Sequence, residues 1–133
     1  MKNSGSPRFL SLEAVLRLHE DAIARYCGDT GIRDLGLLES ALAQPRAMYG
    51  GEFLHAGLAE MAAAYVFHIC KNHAFIDGNK RVAAYAAGVF LDMNGAGLTC
   101  HESEFEAVVL GVARGEFGKP AVAEFFRAHL KAT

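Results

Sequence analysis

The chain has 133 residues, of which 52% are hydrophobic and 21% are charged, a length and balance typical of one globular domain. The formal net charge is −2 and no Lys/Arg-rich stripe is present, so we expect no direct binding to nucleic acid. The sequence contains neither an apolar run that could cross a bilayer nor the hydrophobic stretch of a signal peptide, so we expect no membrane association. Three widely spaced cysteines without metal-ligand spacing are typical of reduced thiols, and a soluble cytoplasmic protein is expected.

The first part of the chain predicts two helices and one irregular segment. Residues 1–8 are rich in Ser, Gly and Asn and predict a flexible lead. Ser11 is placed to cap a helix whose apolar face extends to Tyr26, and Asp34 is placed to cap a short second helix. Residues 46–52 contain two adjacent glycines and no helical period, which predicts either a surface loop or a small hairpin.

Two stretches are apolar on nearly every face and are expected to lie at the centre of the fold. They run from Leu54 to Cys70 and from Val82 to Met93. A helix without a polar face must be buried. Two such helices joined by a short polar loop predict a central helical hairpin.

The C-terminal part predicts two amphipathic helices. The first has competing capping boxes that begin at Thr99 and at Ser103, and the second has Leu130 on its inward face. A strand-like pattern is present only near Gly95–Cys100. We therefore predict an all-α, single-domain bundle of about six helices around a buried central hairpin, occupying residues 9–133.

The loop between the two buried stretches, His73 to Arg81, concentrates polar chemistry. His73 is the candidate general base, because a neutral imidazole accepts a proton from a hydroxyl. Asp77 has two interpretations: it can cap the following helix, or it can hold a hard metal ion such as Mg²⁺. Phe75 is apolar within a polar loop and is predicted to anchor that loop in the core.

The residues that follow Asp77 predict a phosphate site. Gly78 and Asn79 offer backbone N–H groups at the positive end of a helix, where an anion is favoured. Lys80 and Arg81 add positive charge at that same end. Exposed cations there oppose the helix dipole by roughly 0.3–1 kcal/mol each, and a bound polyanion would reverse the sign. The unfavourable placement of two cations at a helix N-terminus therefore indicates an anionic ligand.

Other catalytic patterns are absent from the sequence. It has no P-loop, no nucleophile elbow and no zinc-protease helix. The remaining histidines are assigned the usual structural or exposed role, and they are His19, His55, His68, His101 and His129.

The string His-Ala-Phe-Ile-Asp-Gly-Asn-Lys-Arg, residues 73–81, resembles the Fic signature His-x-Phe-x-Asp/Glu-Gly-Asn. Lys80 stands where most Fic enzymes carry glycine, and in this it resembles the Doc ("death on curing") branch of the Fic/Doc family. Residues 31–42 are similar to an early helix of that branch, and the resemblance extends from Phe9 to the C-terminus.

The resemblance implies a Fic fold, ATP as substrate and Mg²⁺ as the metal. It implies that His73 is the base, that Asp77 holds the metal and that the phosphates lie against Gly78, Asn79, Lys80 and Arg81. It also implies a flap that docks the target protein, formed by Met48, Tyr49, Gly50 and Gly51.

For function, the resemblance to the Doc branch implies the toxin of a bacterial type II toxin–antitoxin system. Such a toxin transfers the γ-phosphate of ATP to a Ser/Thr hydroxyl of elongation factor Tu, arrests growth, and is held by a Phd-like antitoxin. Two alternatives stay open: a Fic-type transferase of AMP, and a catalytically silent peptide-binding module. The sequence has no Ser/Thr-x-x-x-Glu-Gly/Asn string of self-inhibited Fic proteins, which fits inhibition by a separate antitoxin.

Overall fold

The computed structural model describes residues 6–131, and helices dominate that part of the chain. The six helices are α1 (Leu12–Tyr26), α2 (Leu35–Ala43), α3 (Leu58–Asn72), α4 (Asn79–Met93), α5 (Glu102–Ala113) and α6 (Lys119–His129). Two short antiparallel pairs complete the fold, β1 (Met48–Tyr49) with β2 (Glu52–Phe53) and β3 (Gly97–Leu98) with β4 (Leu130–Lys131). The prediction of a mainly helical bundle of about six helices is confirmed. None of these six helices is both long and apolar enough to cross a membrane.

The predicted central hairpin is formed by α3 and α4, which pack against each other and against the other helices. Small residues on both helices are fully buried, which lets the two backbones approach closely. Tyr65 of α3 and Phe90 of α4 fill the remaining space, with ring centroids 5.1 Å apart. The buried alanines are Ala62, Ala63, Ala64, Ala83, Ala86 and Ala87. This tightly packed pair holds the intervening loop at both ends.

Several predicted boundaries differ from the observed ones. Helix α3 begins at Leu58 rather than at Leu54, whose side chain is 61% exposed beyond the strand pair. Neither predicted capping box begins α5: the cap residue is His101, whose amide donates to Oε1 of Glu104 at 2.9 Å. Tyr26, in the last turn of α1, is 47% exposed instead of inward-facing.

The end of the described chain also corrects a prediction. Helix α6 ends at His129, and Leu130 pairs with Leu98 across the β3–β4 ladder. Thr99 extends this contact, since its amide donates to the carbonyl of His129 at 2.8 Å. The sequence predicts Leu130 as part of the helix because the apolar period of α6 continues through it. A strand pair between residues this far apart leaves no pattern in the local sequence.

Residues 46–52 form the hairpin rather than the loop of the two predicted alternatives. Met48 pairs with Phe53, and the turn residues Gly50 and Gly51 have φ of 61° and 83°. Positive φ at both central residues is the requirement of a type I′ turn, which glycine meets without strain. Tyr49 is 81% exposed, so the hairpin presents an aromatic side chain to solvent.

Most of the predicted lead, residues 1–8, lies outside the described part of the chain. Residues 132–133 of the predicted domain also lie outside it. Arg8 is held at the end of α4. Its amide donates to Oδ1 of Asn94 at 2.8 Å, and Nδ2 of Asn94 donates to its carbonyl at 2.9 Å. Its guanidinium donates to the carbonyl of Met93 at 3.1 Å.

His55, in the segment before α3, and His68, inside α3, are half-buried near Lys119 at the start of α6. Burial, followed by the charges of Lys119 and His55, lowers the pKa of His68 to about 4. Nε2 of His68 and Nδ1 of His55 are buried without a hydrogen-bond partner among residues 6–131. Both rings are therefore neutral in the folded protein near neutral pH.

Acid should weaken the fold through His68. An unfolded histidine titrates near 6.5, so the unfolded chain takes up the proton first and stability falls as pH decreases from about 6.5 to about 4. We expect His68→Gln to flatten this part of the stability curve. Urea unfolding followed by circular dichroism at several pH values would measure it, and equal slopes for the two proteins would contradict the assignment.

Candidate active site

The loop from α3 to α4 begins and ends with a residue in the left-handed backbone region. His73, which follows α3, has φ 50° and ψ 49°, and Gly78, which precedes α4, has φ 84°. Glycine adopts this conformation freely, but a residue with a side chain loses roughly 1–2 kcal/mol. Contacts from the rest of the fold must therefore hold His73 in place.

The side chain of Asn79 closes the loop from inside. Its Oδ1 accepts from the amide of Phe75 at 3.1 Å, and its Nδ2 donates to the carbonyl of Phe75 at 2.9 Å. The same Nδ2 lies 3.5 Å from Nδ1 of His73. Asn79 is 7% exposed, and its side chain is committed to the loop. Any contact of Asn79 with a phosphate would therefore come from its backbone amide.

Phe75 and His19 hold the loop from the side of α1. Phe75 is 1% exposed, and its ring stacks on that of His19 with 3.8 Å between centroids. Nε2 of His19 donates to the carbonyl of Asp77 at 2.9 Å. The sequence predicts only a structural or exposed role for His19, because a contact between residues 58 positions apart leaves no local pattern.

An extended segment before α2 pairs with the loop on another side. The amide of Ile76 donates to the carbonyl of Gly31 at 3.0 Å. The amides of Arg33 and Asp34 both donate to the carbonyl of Ala74, at 2.7 and 3.0 Å. The site loop is thus held by backbone hydrogen bonds to a segment distant in sequence.

Asp77 does not cap α4, so that interpretation is wrong. The cap residue is Gly78, and Oδ1 of Asp77 accepts from the amide of Gly78 at 2.9 Å. Oδ2 accepts a longer hydrogen bond from the amide of Asp29, at 3.4 Å. The carboxylate also packs against Gly28, where an added methyl group would lie 2.5 Å from Oδ2.

The donor set around Asp77 fits a metal ion carried by a nucleotide. In the described chain, no group of three or more His, Cys, Asp and Glu side chains could form a complete metal site. Mg²⁺ is commonly held by one or two carboxylates together with waters and substrate phosphates. Asp77 is exposed and offers one such carboxylate.

The first amides of α4 are available for an anion, with one exception. The amide of Gly78, predicted to face a phosphate, already donates to Asp77. The amides of Asn79, Lys80 and Arg81 donate to no acceptor within residues 6–131. Free N–H groups and the helix dipole together favour a negative ligand at this position.

A cavity of about 120 Å³ brings five of the predicted site residues together. It is lined by Cys70, His73, Ile76, Asp77, Gly78, Asn79, Lys80 and Ala113. Burial raises the pKa of the Cys70 thiol to about 11, so the sulfur stays protonated and is a poor nucleophile. The two remaining proton acceptors among the side chains that line the cavity are His73 and Asp77.

Phe75, Arg81 and the four flap residues do not line the cavity. The guanidinium of Arg81 lies over the ring of Tyr26, 3.7 Å from its centroid, on the side of α1. A cation over an aromatic face is attracted to it, so Tyr26 holds Arg81 in this position. The residues of the predicted flap, Met48, Tyr49, Gly50 and Gly51, lie on the β1–β2 hairpin.

The left-handed position of Gly78 can be tested by stability. Gly78→Ala should lower the free energy of unfolding by about 1–2 kcal/mol, since alanine is strained at φ 84°. Gly88→Ala is the matched control: it lies inside α4 with open space around the added methyl, and should raise stability by about 0.5–1 kcal/mol. Urea unfolding measures both, and a neutral Gly78→Ala would show that the turn relaxes.

Comparison with known proteins places this chain in a family. The family model described as Fic/DOC family matches residues 9–91. "Protein kinase doc" of Escherichia phage P1 is 32% identical over 120 residues, covering 90% of this chain and 94% of that protein. "Toxin Doc" of Mycolicibacterium smegmatis is 44% identical over 71 residues, which span 53% of this chain and 55% of that relative. The chain belongs to the Fic/Doc family.

Proposed function

We propose that this protein is the toxin of a toxin–antitoxin system and a kinase that transfers the γ-phosphate of ATP to a Ser/Thr hydroxyl. The observation that carries the proposal is the shared cavity, where the imidazole of His73 faces the same space as Asp77, Lys80 and the start of α4. A base, a metal-binding carboxylate and an anion site are the parts that phosphoryl transfer needs. The names of the two relatives, a toxin and a protein kinase, support this choice.

In the proposed reaction, the free amides of α4 and the ammonium of Lys80 hold the phosphates of ATP. Asp77 would hold Mg²⁺ against them, and the ion would neutralise phosphate charge. His73 removes the proton of the acceptor hydroxyl. The hydroxyl oxygen then bonds to the γ-phosphorus while the bond from that phosphorus to the β–γ bridging oxygen breaks. ADP leaves, and His73 releases its proton to water.

We propose elongation factor Tu as the target and a Phd-like antitoxin as the partner that silences the protein in the bacterial cytoplasm. The β1–β2 hairpin supports a docking role for the flap. Met48 is 55% exposed and Tyr49 is 81% exposed, so two neighbouring large side chains are accessible to a partner. In this proposal, a segment of the target protein would lie along the hairpin.

Transfer of AMP is the second candidate, because it would use the same residues with the α-phosphorus beside His73. Lys80 favours the kinase. Its side chain lines the cavity of about 120 Å³, where it takes space and adds a positive charge. Glycine at this position would leave more room for the nucleoside side of the α-phosphate.

Radiolabelled ATP separates the two reactions. With Mg²⁺ and elongation factor Tu, label from the γ-phosphate should stay on the target protein, and label from the α-phosphate should not. Label retained only from the α position would identify an AMP transferase.

His73→Ala should lower the rate of transfer by about 10²–10⁴-fold, because the general base is lost. Undiminished toxicity of His73→Ala in cells lacking antitoxin would favour the peptide-binding module.

The role of Asp77 can be tested through its neighbour. Gly28→Ala places a methyl group 2.5 Å from Oδ2 of Asp77 and so displaces the carboxylate. We expect the Mg²⁺ concentration needed for half-maximal transfer to rise by about tenfold, since metal affinity follows ligand position. Gly88→Ala, which crowds nothing, is the control. An unchanged Mg²⁺ requirement in Gly28→Ala would remove Asp77 as the ligand.

A further inference from the structure

We infer that Arg33 is a positioning residue for His73, an inference that rests on the proposed role of His73 as the base. Nε of Arg33 donates to the carbonyl of His73 at 2.7 Å, and its terminal amino group donates to the carbonyl of Asn72 at 3.2 Å. Its backbone amide donates to the carbonyl of Ala74 at 2.7 Å. One residue thus holds three consecutive carbonyls, with that of His73 in the middle.

The end of α3 explains why an arginine fits this position. The last carbonyls of a helix have no N–H partner within the helix, and they carry partial negative charge. The planar guanidinium offers several N–H groups in a fixed fork, so it reaches the carbonyls of Asn72 and His73 together. A positive charge at a helix C-terminus is also favourable.

The backbone of His73 needs such support more than that of its neighbours. It is left-handed at φ 50°, and Cys27 is the only other non-glycine residue with positive φ among residues 6–131. Without the hydrogen bonds from Arg33, the strained backbone of His73 is expected to relax toward a conformation with negative φ. That change would rotate the bond from Cα to the imidazole.

The imidazole has little else to fix its direction. In the described structure, the ring has one polar contact, at 3.5 Å, between its Nδ1 and Nδ2 of Asn79. The direction of the ring therefore follows from the backbone that Arg33 holds. Small displacements of a reacting group lower the rate strongly while leaving nucleotide binding at a different part of the cavity intact.

Kinetics of two arginine variants test the inference. Arg33→Met should lower kcat by about 10–100-fold and leave KM for ATP within about twofold. Arg33→Lys keeps the charge but loses the fork, so its kcat should lie between those of Arg33→Met and wild type. Arg8→Met is the matched control, because that guanidinium also donates to a carbonyl at a helix end, that of Met93 at 3.1 Å. Arg8→Met should keep the wild-type kcat.

A second measurement needs no activity. The imidazole C–H signals of the six histidines are recorded by NMR, and that of His73 is assigned by its loss in His73→Gln. Arg33→Met should shift the His73 signal, whereas Arg8→Met should leave it in place. Thermal unfolding of all variants shows that they are folded at the temperature used.

The two measurements separate the failures. If wild type transfers nothing from ATP, the proposed function fails, and the NMR comparison still decides whether Arg33 positions His73. If wild type is active, a kcat in Arg33→Met equal to that of Arg8→Met overturns the positioning role. An unshifted His73 signal in folded Arg33→Met overturns it as well.

Discussion

The amide side chain of Asn79 hydrogen bonds to both backbone groups of Phe75, and the candidate site depends on that pair of bonds. They fix the distance between the end of α3, where His73 lies, and the start of α4, where the free amides lie. Both bonds are buried, so water competes with them weakly and losing either would leave an unsatisfied polar group. The asparagine therefore acts as part of the loop backbone.

The rigid parts of the site come from three regions of the chain. The packed pair of α3 and α4 sets the position of the loop ends. Helix α1 contributes His19, and the segment before α2 contributes backbone partners at Gly31 and Arg33. A functional loop on a rigid scaffold can expose its reactive groups without becoming mobile. The side chains of His73, Asp77 and Lys80, which have the proposed chemistry, all reach solvent.

Local physics explains which features could be predicted from the sequence. Ser11 and Asp34 cap their helices as predicted, accepting from the amides of Ala14 and Leu37 at 3.1 and 3.0 Å. The Gly50-Gly51 pair offers the positive φ values that a tight hairpin needs. In each case the interacting groups are within a few residues, so the pattern carries the information.

Contacts between distant segments account for the features that were missed. The ladder at Leu130 and the hydrogen bond of His19 join residues separated by dozens of positions, and no periodicity encodes them. The motif predicts a phosphate contact for Arg81, and the structure adds the Tyr26 ring as a second partner for its guanidinium. The sequence alone thus identifies the polar groups of the loop, whereas the direction in which each points depends on tertiary packing.

The environments of two thiols have a practical consequence for studying this site. At neutral pH, a thiol with a pKa of about 11 is ionised in roughly one molecule in 10⁴, so Cys70 should resist alkylating reagents. Cys27 is exposed at the end of α1, beside the tyrosine that holds Arg81. A fluorophore attached through maleimide chemistry would therefore favour Cys27 over Cys70. From there, next to Gly28 and close to Asp77, it would report the arrival of a ligand.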